Sequence, residues 1–194
     1  MAYRQGAAPV GCVVVRSKWI RVRKVFDMDT GILILRVAIG LLIYGHAMQK
    51  ALGWFHGPGP AAASAMFDKW GFRPARPMVY MAAAVECTGG MLLILGLATP
   101  LACAMLIGAL AVACLPNLGN GLWAAGGGYE LALLYGLSSV AIAFTGSGRF
   151  SVDAIIGLQL SPWVGLVVLI VGLLSAMPIV VLRRIVLSHE RVNQ

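Results

Sequence analysis

Charged residues are scarce in this chain. Only 11% of its 194 residues are Asp, Glu, Lys or Arg, whereas a soluble domain usually carries about 25%. Hydrophobic residues make up 60%, and the mean hydropathy is +0.87. Because so few polar groups cannot cover a water-soluble globule, we expect most of the outer surface to contact lipid. The composition therefore excludes an ordinary soluble enzyme.

Cysteine and histidine are also sparse, and their spacing excludes several cofactors. The cysteines form no CxxC pair and no Cys/His cluster with zinc spacing, which predicts neither a disulfide framework nor a metal site. A disulfide relay between Cys87 and Cys114 is a minor alternative. His46 is the one histidine inside an apolar run, so two-histidine haem ligation within a helical bundle is excluded, and no covalently bound cofactor is expected.

Acidic residues are outnumbered, with 7 Asp and Glu against 15 Lys and Arg, giving a net charge of +8. A nucleic-acid partner does not follow from this charge, because the cations flank apolar runs. Basic residues in such positions set membrane orientation and meet anionic lipid headgroups. Six cations precede the first run: Arg4, Arg16, Lys18, Arg21, Arg23 and Lys24.

Five long apolar runs predict five membrane-spanning helices, at about 31–50, 77–97, 101–115, 129–145 and 162–182. The fold class predicted is all-α, an integral membrane four-helix bundle with an additional C-terminal transmembrane helix. Three segments follow: a basic interfacial segment at 1–29, the four-helix core at 30–157, and the fifth helix with a polar tail at 158–194. Asp29 and Thr30 are expected to cap the first span.

The charge distribution also bears on orientation. The two sides of the membrane tie at seven cations each, but the leading charges are denser and the first helix usually dominates. We therefore expect a cytoplasmic N-terminus and, after five spans, an external C-terminus.

Alternating helix directions group several polar residues near one membrane face. His46 and Lys50 are i,i+4 neighbours at the end of the first span, while Glu86, Tyr129 and Glu130 lie near the starts of the second and fourth spans. Ionisable residues inside a span are costly and are functional candidates by default. The alternative is a structural ion-pair network, in which Lys50 and Glu130 extend to the interface and Glu86 pairs with Lys50.

The opposite face carries a second polar group. Arg36 lies early in the first span, and Arg149, Ser151 and Asp153 follow the fourth. Arg36 needs an acidic or carbonyl partner, and Asp153 is the obvious one. A structural ion pair of Arg36, Arg149 and Asp153 is favoured over catalysis.

Glycines indicate where helices approach closely. The spans lack side chains at five such positions, which suits tight helix packing in a membrane: Gly40, Gly45, Gly89, Gly90 and Gly96.

The ordered set of these residues resembles the DoxX family of small membrane proteins, which is related to the DoxD subunit of thiosulfate:quinone oxidoreductase. The matching pieces are Arg36 with the segment GLLIYGHAMQK at 40–50, ECTGG at 86–90, GYEL at 128–131 and GSGRFSVD at 146–153. The family commonly has glycine after the histidine, where this chain has Ala47. The resemblance implies a multi-pass protein of the bacterial inner membrane, associated with redox chemistry as a subunit of a larger complex.

The leading hypothesis is a DoxX-like subunit of a quinone-linked oxidoreductase. His46, Lys50, Glu86, Tyr129 and Glu130 would bind the quinone, with catalytic roles for Glu86, Glu130 and His46. His46 and Lys50 would donate to the carbonyls, while Glu86 and Glu130 would exchange protons with the aqueous face. The expected partners are membrane lipids, quinone, and other subunits or further copies of the chain.

Two alternatives remain open. One is a non-catalytic membrane anchor or assembly subunit, favoured by the extra N-terminal segment and fifth span. The other is a small-solute transporter, which is weaker because spans two to four show no continuous polar stripe.

Overall fold

Seven helices organise the described part of the chain. The computed structural model describes the backbone at residues 10–158, 161 and 163–192, and side chains at residues 28–158, 161 and 163–189. The helices are α1 (Val10–Leu52), α2 (Gly59–Lys69), α3 (Ala75–Leu95), α4 (Thr99–Cys114), α5 (Glu130–Thr145), α6 (Val152–Ile155) and α7 (Val164–Val192). Short 3₁₀ helices lie at Trp54–His56, Leu115–Asn120 and Ala124–Gly126, and these residues include no strand. The all-α prediction is confirmed.

Among the residues that the structure describes, four segments are long and apolar enough to cross a membrane: Met28–Leu52, Ala75–Leu95, Thr99–Asn120 and Val164–His189. The remaining predicted span, α5, is a shorter apolar helix of 16 residues, or about 24 Å at 1.5 Å per residue. The protein is therefore a multi-pass membrane protein.

The helices pack around one apolar centre. α1 packs on α3, and α4 contacts α3, α5 and α7. Ile43, Leu93, Leu106 and Ile142 are buried in the core, and Val168 of α7 joins the same cluster. The fifth span thus completes the bundle core, although the sequence pattern placed it outside the four-helix unit.

The helices define two membrane faces. α1, α4 and α7 end on the face where α3 and α5 begin, and we call it the Lys50 face. The other is the Asp153 face, where Asp153 meets the turn between α3 and α4.

The start of α1 differs from the prediction. A single helix of 43 residues runs from Val10 to Leu52, so Asp29 and Thr30 lie inside it and cap nothing. The physical reason is that residues 12–30 contain neither glycine nor proline, so nothing interrupts the backbone ladder. Asp29 instead accepts a hydrogen bond from the backbone N–H of Arg149 at 3.1 Å. The interfacial location of residues 1–29 stays a prediction.

Glycine allows α1 and α3 to touch. A Cβ added at Gly40 would lie 2.8 Å from the carbonyl oxygen of Gly90, and one added at Gly90 would lie 2.9 Å from that of Gly40. The close approach predicted at these two residues is confirmed. The prediction of a close approach is wrong for Gly45, because a Cβ added there would have no neighbouring atom within 4 Å.

Candidate functional site

A cavity of about 320 Å³ opens on the Lys50 face. α1, α4 and α5 form most of its wall, and α3 contributes one acidic side chain. Ile43, Leu110 and Leu131 supply apolar surface. Its polar lining residues are His46, Gln49, Lys50, Glu86, Asn117, Tyr129 and Tyr135. Four of the five residues predicted to bind the quinone therefore line one cavity.

Lys50 and Glu86 form a buried ion pair in this wall. Lys50 Nζ donates to Glu86 Oε1 at 2.5 Å and contacts Oε2 at 2.5 Å. The Glu86 side chain is 6% exposed and the Lys50 side chain 22%. Glu86 Oε2 receives no hydrogen bond from the described residues, despite its ion contact. A buried charge needs a partner, so each residue fixes the other.

His46 is held in one orientation by its neighbours on α1 and α5. Its Nδ1 lies 3.0 Å from Gln49 Oε1, and its ring lies 5.7 Å from that of Tyr135. The Gln49 Nε2 group donates to the carbonyl oxygen of Phe55 at 3.5 Å. Since that carbonyl can only accept, the amide oxygen faces His46. Neutral His46 then carries its proton on Nδ1 and leaves the Nε2 lone pair free.

Glu130 does not line the cavity. Its Oε2 accepts a hydrogen bond from the backbone N–H of Ala124 at 2.8 Å, and its own N–H donates to Leu122 O at 2.9 Å. The glycine-rich connection before α5 folds back and uses this carboxylate to hold its turn. The sequence pattern placed Glu130 in the site because only its depth, and not the path of the connection, could be predicted.

Gln49 and Tyr135 also line the cavity, and the sequence analysis did not single them out. Gln49 lies three residues after His46 on α1, so the helical spacing could have revealed it as a partner. Tyr135 lies deeper in an apolar helix, where an aromatic residue ordinarily belongs to the core, and no sequence signal separates the two cases.

On the Asp153 face, Arg36, Arg149 and Asp153 lie near one another, but their hydrogen-bond partners differ from the predicted ones. Asp153 accepts hydrogen bonds from the backbone N–H groups of Ala98 at 2.7 Å and Thr99 at 2.9 Å, which caps α4 from a distant segment. Arg36 is fully buried and donates from Nη2 to the carbonyl oxygen of Phe150 at 2.6 Å.

The predicted direct bond between Arg36 and Asp153 is thus replaced by two backbone contacts. The reason is that the helix terminus offers Asp153 two unpaired N–H groups. Asp153 remains the acidic residue of this group and Arg36 its buried cation. Arg149 joins through its backbone N–H to Asp29, with no role for its charge in that bond. A structural role for this group stays a prediction.

Two family models match the chain. The DoxX model matches residues 31–116, and the model described as the TQO small subunit DoxD matches residues 76–176, more than half of the chain. This chain belongs to the DoxX/DoxD family. No curated protein and no solved structure matches it.

The two matches together run from the apolar part of α1 into α7. Both polar groups of this DoxX/DoxD protein lie inside that stretch. The family resemblance predicted from the sequence is confirmed.

Proposed function

We propose that this DoxX/DoxD protein is a membrane subunit of a quinone-linked oxidoreductase and that the cavity on the Lys50 face binds the quinone headgroup. The observation that carries the proposal is the buried Lys50–Glu86 pair, which shares one cavity with His46. The family relation supports the choice of ligand, since TQO denotes thiosulfate:quinone oxidoreductase.

The cavity suits a headgroup in size and polarity. Its volume of about 320 Å³ lies at the lower end of the range for small-ligand sites, roughly 300–1,000 Å³. Ile43, Leu110 and Leu131 give the ring apolar contact, and the Lys50 ammonium is a hydrogen-bond donor for a carbonyl oxygen. A site with few polar groups among apolar walls fixes a ligand's orientation by those groups.

The residues also supply a route for protons. Reduction of a quinone to a quinol takes up two electrons and two protons, and the electrons come from a partner subunit or a reduced sulfur substrate. Protonated His46 donates from Nε2 to one carbonyl oxygen and becomes the neutral Nδ1–H form that Gln49 stabilises. Lys50 donates the second proton, and its partly exposed side chain regains one from water. Glu86 holds the Lys50 amine in place throughout.

Glu86 provides the test. In membranes containing the complex, Glu86→Gln is expected to lower quinone binding and quinone reduction at least tenfold, because Lys50 loses its counter-charge. Glu130→Gln is the matched control, since Glu130 directly follows the lining residue Tyr129 but lies outside the cavity. Equal loss in both variants, or unchanged reduction by a correctly assembled Glu86→Gln protein, would contradict the proposal.

Misfolding must be separated from loss of the site. Removing one member of a buried ion pair can cost about 3–5 kcal/mol, whereas replacing both with apolar residues is often neutral. The double variant Lys50→Met/Glu86→Leu is therefore expected to retain the wild-type melting temperature in detergent and to lose quinone reduction.

A second candidate function is that of a non-catalytic anchor. α1 extends beyond its apolar part at Met28–Leu52, and α7 exposes Leu166, Ile170 and Leu174. Both features add surface that a partner could contact. Co-purification of other subunits with a complex whose quinone reduction is insensitive to all the cavity variants would favour this function over the first.

A further inference from the structure

A second cavity of about 340 Å³ lies on the opposite side of α3 and α4 from the polar cavity. α3, α4 and α7 form its walls, and Phe67 and Phe72 border it near the α2–α3 corner. Three methionines line it, Met78, Met81 and Met105. We call it the methionine groove. Flexible thioether side chains adapt to a chain-like apolar ligand.

A cation lies at the end of this groove. Ile179 of α7 lines the groove, and Arg183 follows it by four residues on the same helical face. Arg183 Nε donates to the carbonyl oxygen of Trp70 at 2.9 Å, and its guanidinium carbon lies 5.6 Å from the centre of the Phe72 ring. These contacts anchor the arginine while its two terminal nitrogens can serve an anionic ligand.

The surroundings add further positive charge. The α2–α3 corner carries Lys69, Arg73 and Arg76, and Arg184 follows Arg183 on α7. Asp68 is the one acidic residue within residues 68–76 and 183–184, and it is paired with Arg73 at 2.7 Å. The groove therefore ends at a strongly cationic corner of the Lys50 face.

We propose that the methionine groove binds one acyl chain of an anionic phospholipid, whose phosphate is bound by Arg183. The apolar walls suit the acyl chain. The cationic corner suits the anionic headgroup and lies at the membrane depth where a phospholipid has its headgroup. A second copy of this chain would oppose like charges at the corner. The groove contains no group resembling His46 or Glu86, so it has no means of handling a quinone's protons. The site is independent of the function proposed above.

Lipid binding to the purified full chain tests the proposal. The delipidated protein in detergent is titrated with phosphatidylglycerol or phosphatidylcholine of identical acyl chains, and bound lipid is counted by native mass spectrometry. Wild type is expected to prefer phosphatidylglycerol about fivefold or more, the effect of roughly one cation at a membrane surface. Equal binding of the two lipids would overturn the proposal.

Two variants separate the headgroup from general surface charge. Arg183→Gln is expected to lose the preference, while Arg184→Gln is expected to keep it, because Arg184 is exposed and points about 100° away around the helix. If both variants lose the preference equally, the attraction is diffuse and Arg183 binds no phosphate. Arg183→Lys keeps the charge and serves as the test if Arg183→Gln folds poorly. This variant is expected to retain part of the preference. Complete loss of the preference in a normally folded Arg183→Lys protein would contradict a charge-based site.

A third variant tests the tail. Ala109 lines the groove and is half-buried, so Ala109→Phe fills the space that an acyl chain would occupy. Binding of both lipids is expected to fall severalfold, with quinone reduction unchanged. Unaltered lipid binding in this variant would show that the headgroup binds without the groove, and the proposal would fail.

Discussion

Three of the four buried or half-buried acidic residues in the described part of the chain have three different kinds of partner. Glu86 binds the Lys50 ammonium, Glu130 binds the backbone of a preceding connection, and Asp153 binds the first N–H groups of α4. The polar surroundings of each residue, and not its depth in a helix, decide its role. Of these three, Glu86 lines the polar cavity and is paired with Lys50, which is why the proposed chemistry centres on this pair.

Asp153→Asn is expected to destabilise the protein strongly. The change removes the charge that compensates Arg36, whose Nε and Nη1 atoms are buried without a hydrogen-bond partner among the described residues. Leaving a buried charge uncompensated costs about 3–5 kcal/mol. Thermal unfolding in detergent should show a lower melting temperature, and Asp68→Asn, in an exposed pair with Arg73, should leave it unchanged. Equal melting temperatures for wild type and Asp153→Asn would contradict a structural role.

Gln49 is expected to control which nitrogen of His46 carries the proton. Gln49→Leu removes the acceptor at Nδ1, so the neutral ring should populate both tautomers. Nitrogen NMR of protein labelled at histidine can distinguish the two forms. Gln49→Glu keeps an acceptor at this position and should retain the Nδ1–H form. Identical spectra for wild type and Gln49→Leu would show that Gln49 does not fix the tautomer.

At the scale of elements, α1 and α3 are joined by backbone contact. Gly40 and Gly90 let the two helices approach, and the same pair of helices carries Lys50 and Glu86. A change in their separation would therefore change the geometry of the ion pair. Close packing and the proposed site depend on one interface.

Gly90→Ala is expected to destabilise the bundle, since the added methyl would lie 2.9 Å from the Gly40 carbonyl oxygen. Overpacking of this kind costs about 1–3 kcal/mol. Gly45→Ala is the control, because its methyl meets nothing and alanine favours a helix by up to about 1 kcal/mol over glycine. Thermal unfolding in detergent should thus show a lower melting temperature for Gly90→Ala and a higher one for Gly45→Ala, relative to wild type. A Gly90→Ala protein as stable as Gly45→Ala would show that the helices can move apart freely.

Much of this architecture follows from local sequence signals. Apolar runs and prolines placed α3, α4 and α5 within a few residues, and alternating directions brought His46, Lys50 and Glu86 to one face. The helical path of residues 10–30 reflects the absence of glycine and proline from residues 12–30, which the apolar pattern did not reveal. The fold of the connection that captures Glu130 and the cap that Asp153 provides to α4 depend on non-local contacts. A residue such as Asp153 cannot reveal from its own neighbours that it will satisfy N–H groups 54 and 55 residues away.

At the scale of the whole molecule, five helices that alternate in direction give the two faces unequal chemistry. The Lys50 face carries the polar cavity and the cationic corner. The Asp153 face carries the hydrogen bonds of Arg36 and Asp153. With a cytoplasmic N-terminus, the Lys50 face lies outside.

Cysteine labelling in intact cells checks this orientation. Trp123 and Ile155 are exposed on opposite faces, 67% and 83% respectively. In a background without the native cysteines, Trp123→Cys is expected to react with a membrane-impermeant maleimide, and Ile155→Cys only after lysis. The reverse pattern would place the N-terminus outside and the proposed site at the cytoplasm.

The contact between Arg36 and Phe150 also sets an order of events during synthesis. The two residues are 114 positions apart, so at about 5–20 residues per second the partner is made roughly 6–23 s after the arginine. Until then Arg36 has entered the bilayer without its carbonyl or Asp153. An arginine at the centre of a span costs about 2.5–3.5 kcal/mol on insertion scales, and Arg36, which lies nearer the end of its span, costs less. We therefore expect α1 to enter the membrane before its buried arginine has its final partners. The loop after α5 completes the surroundings of Arg36 in the finished bundle.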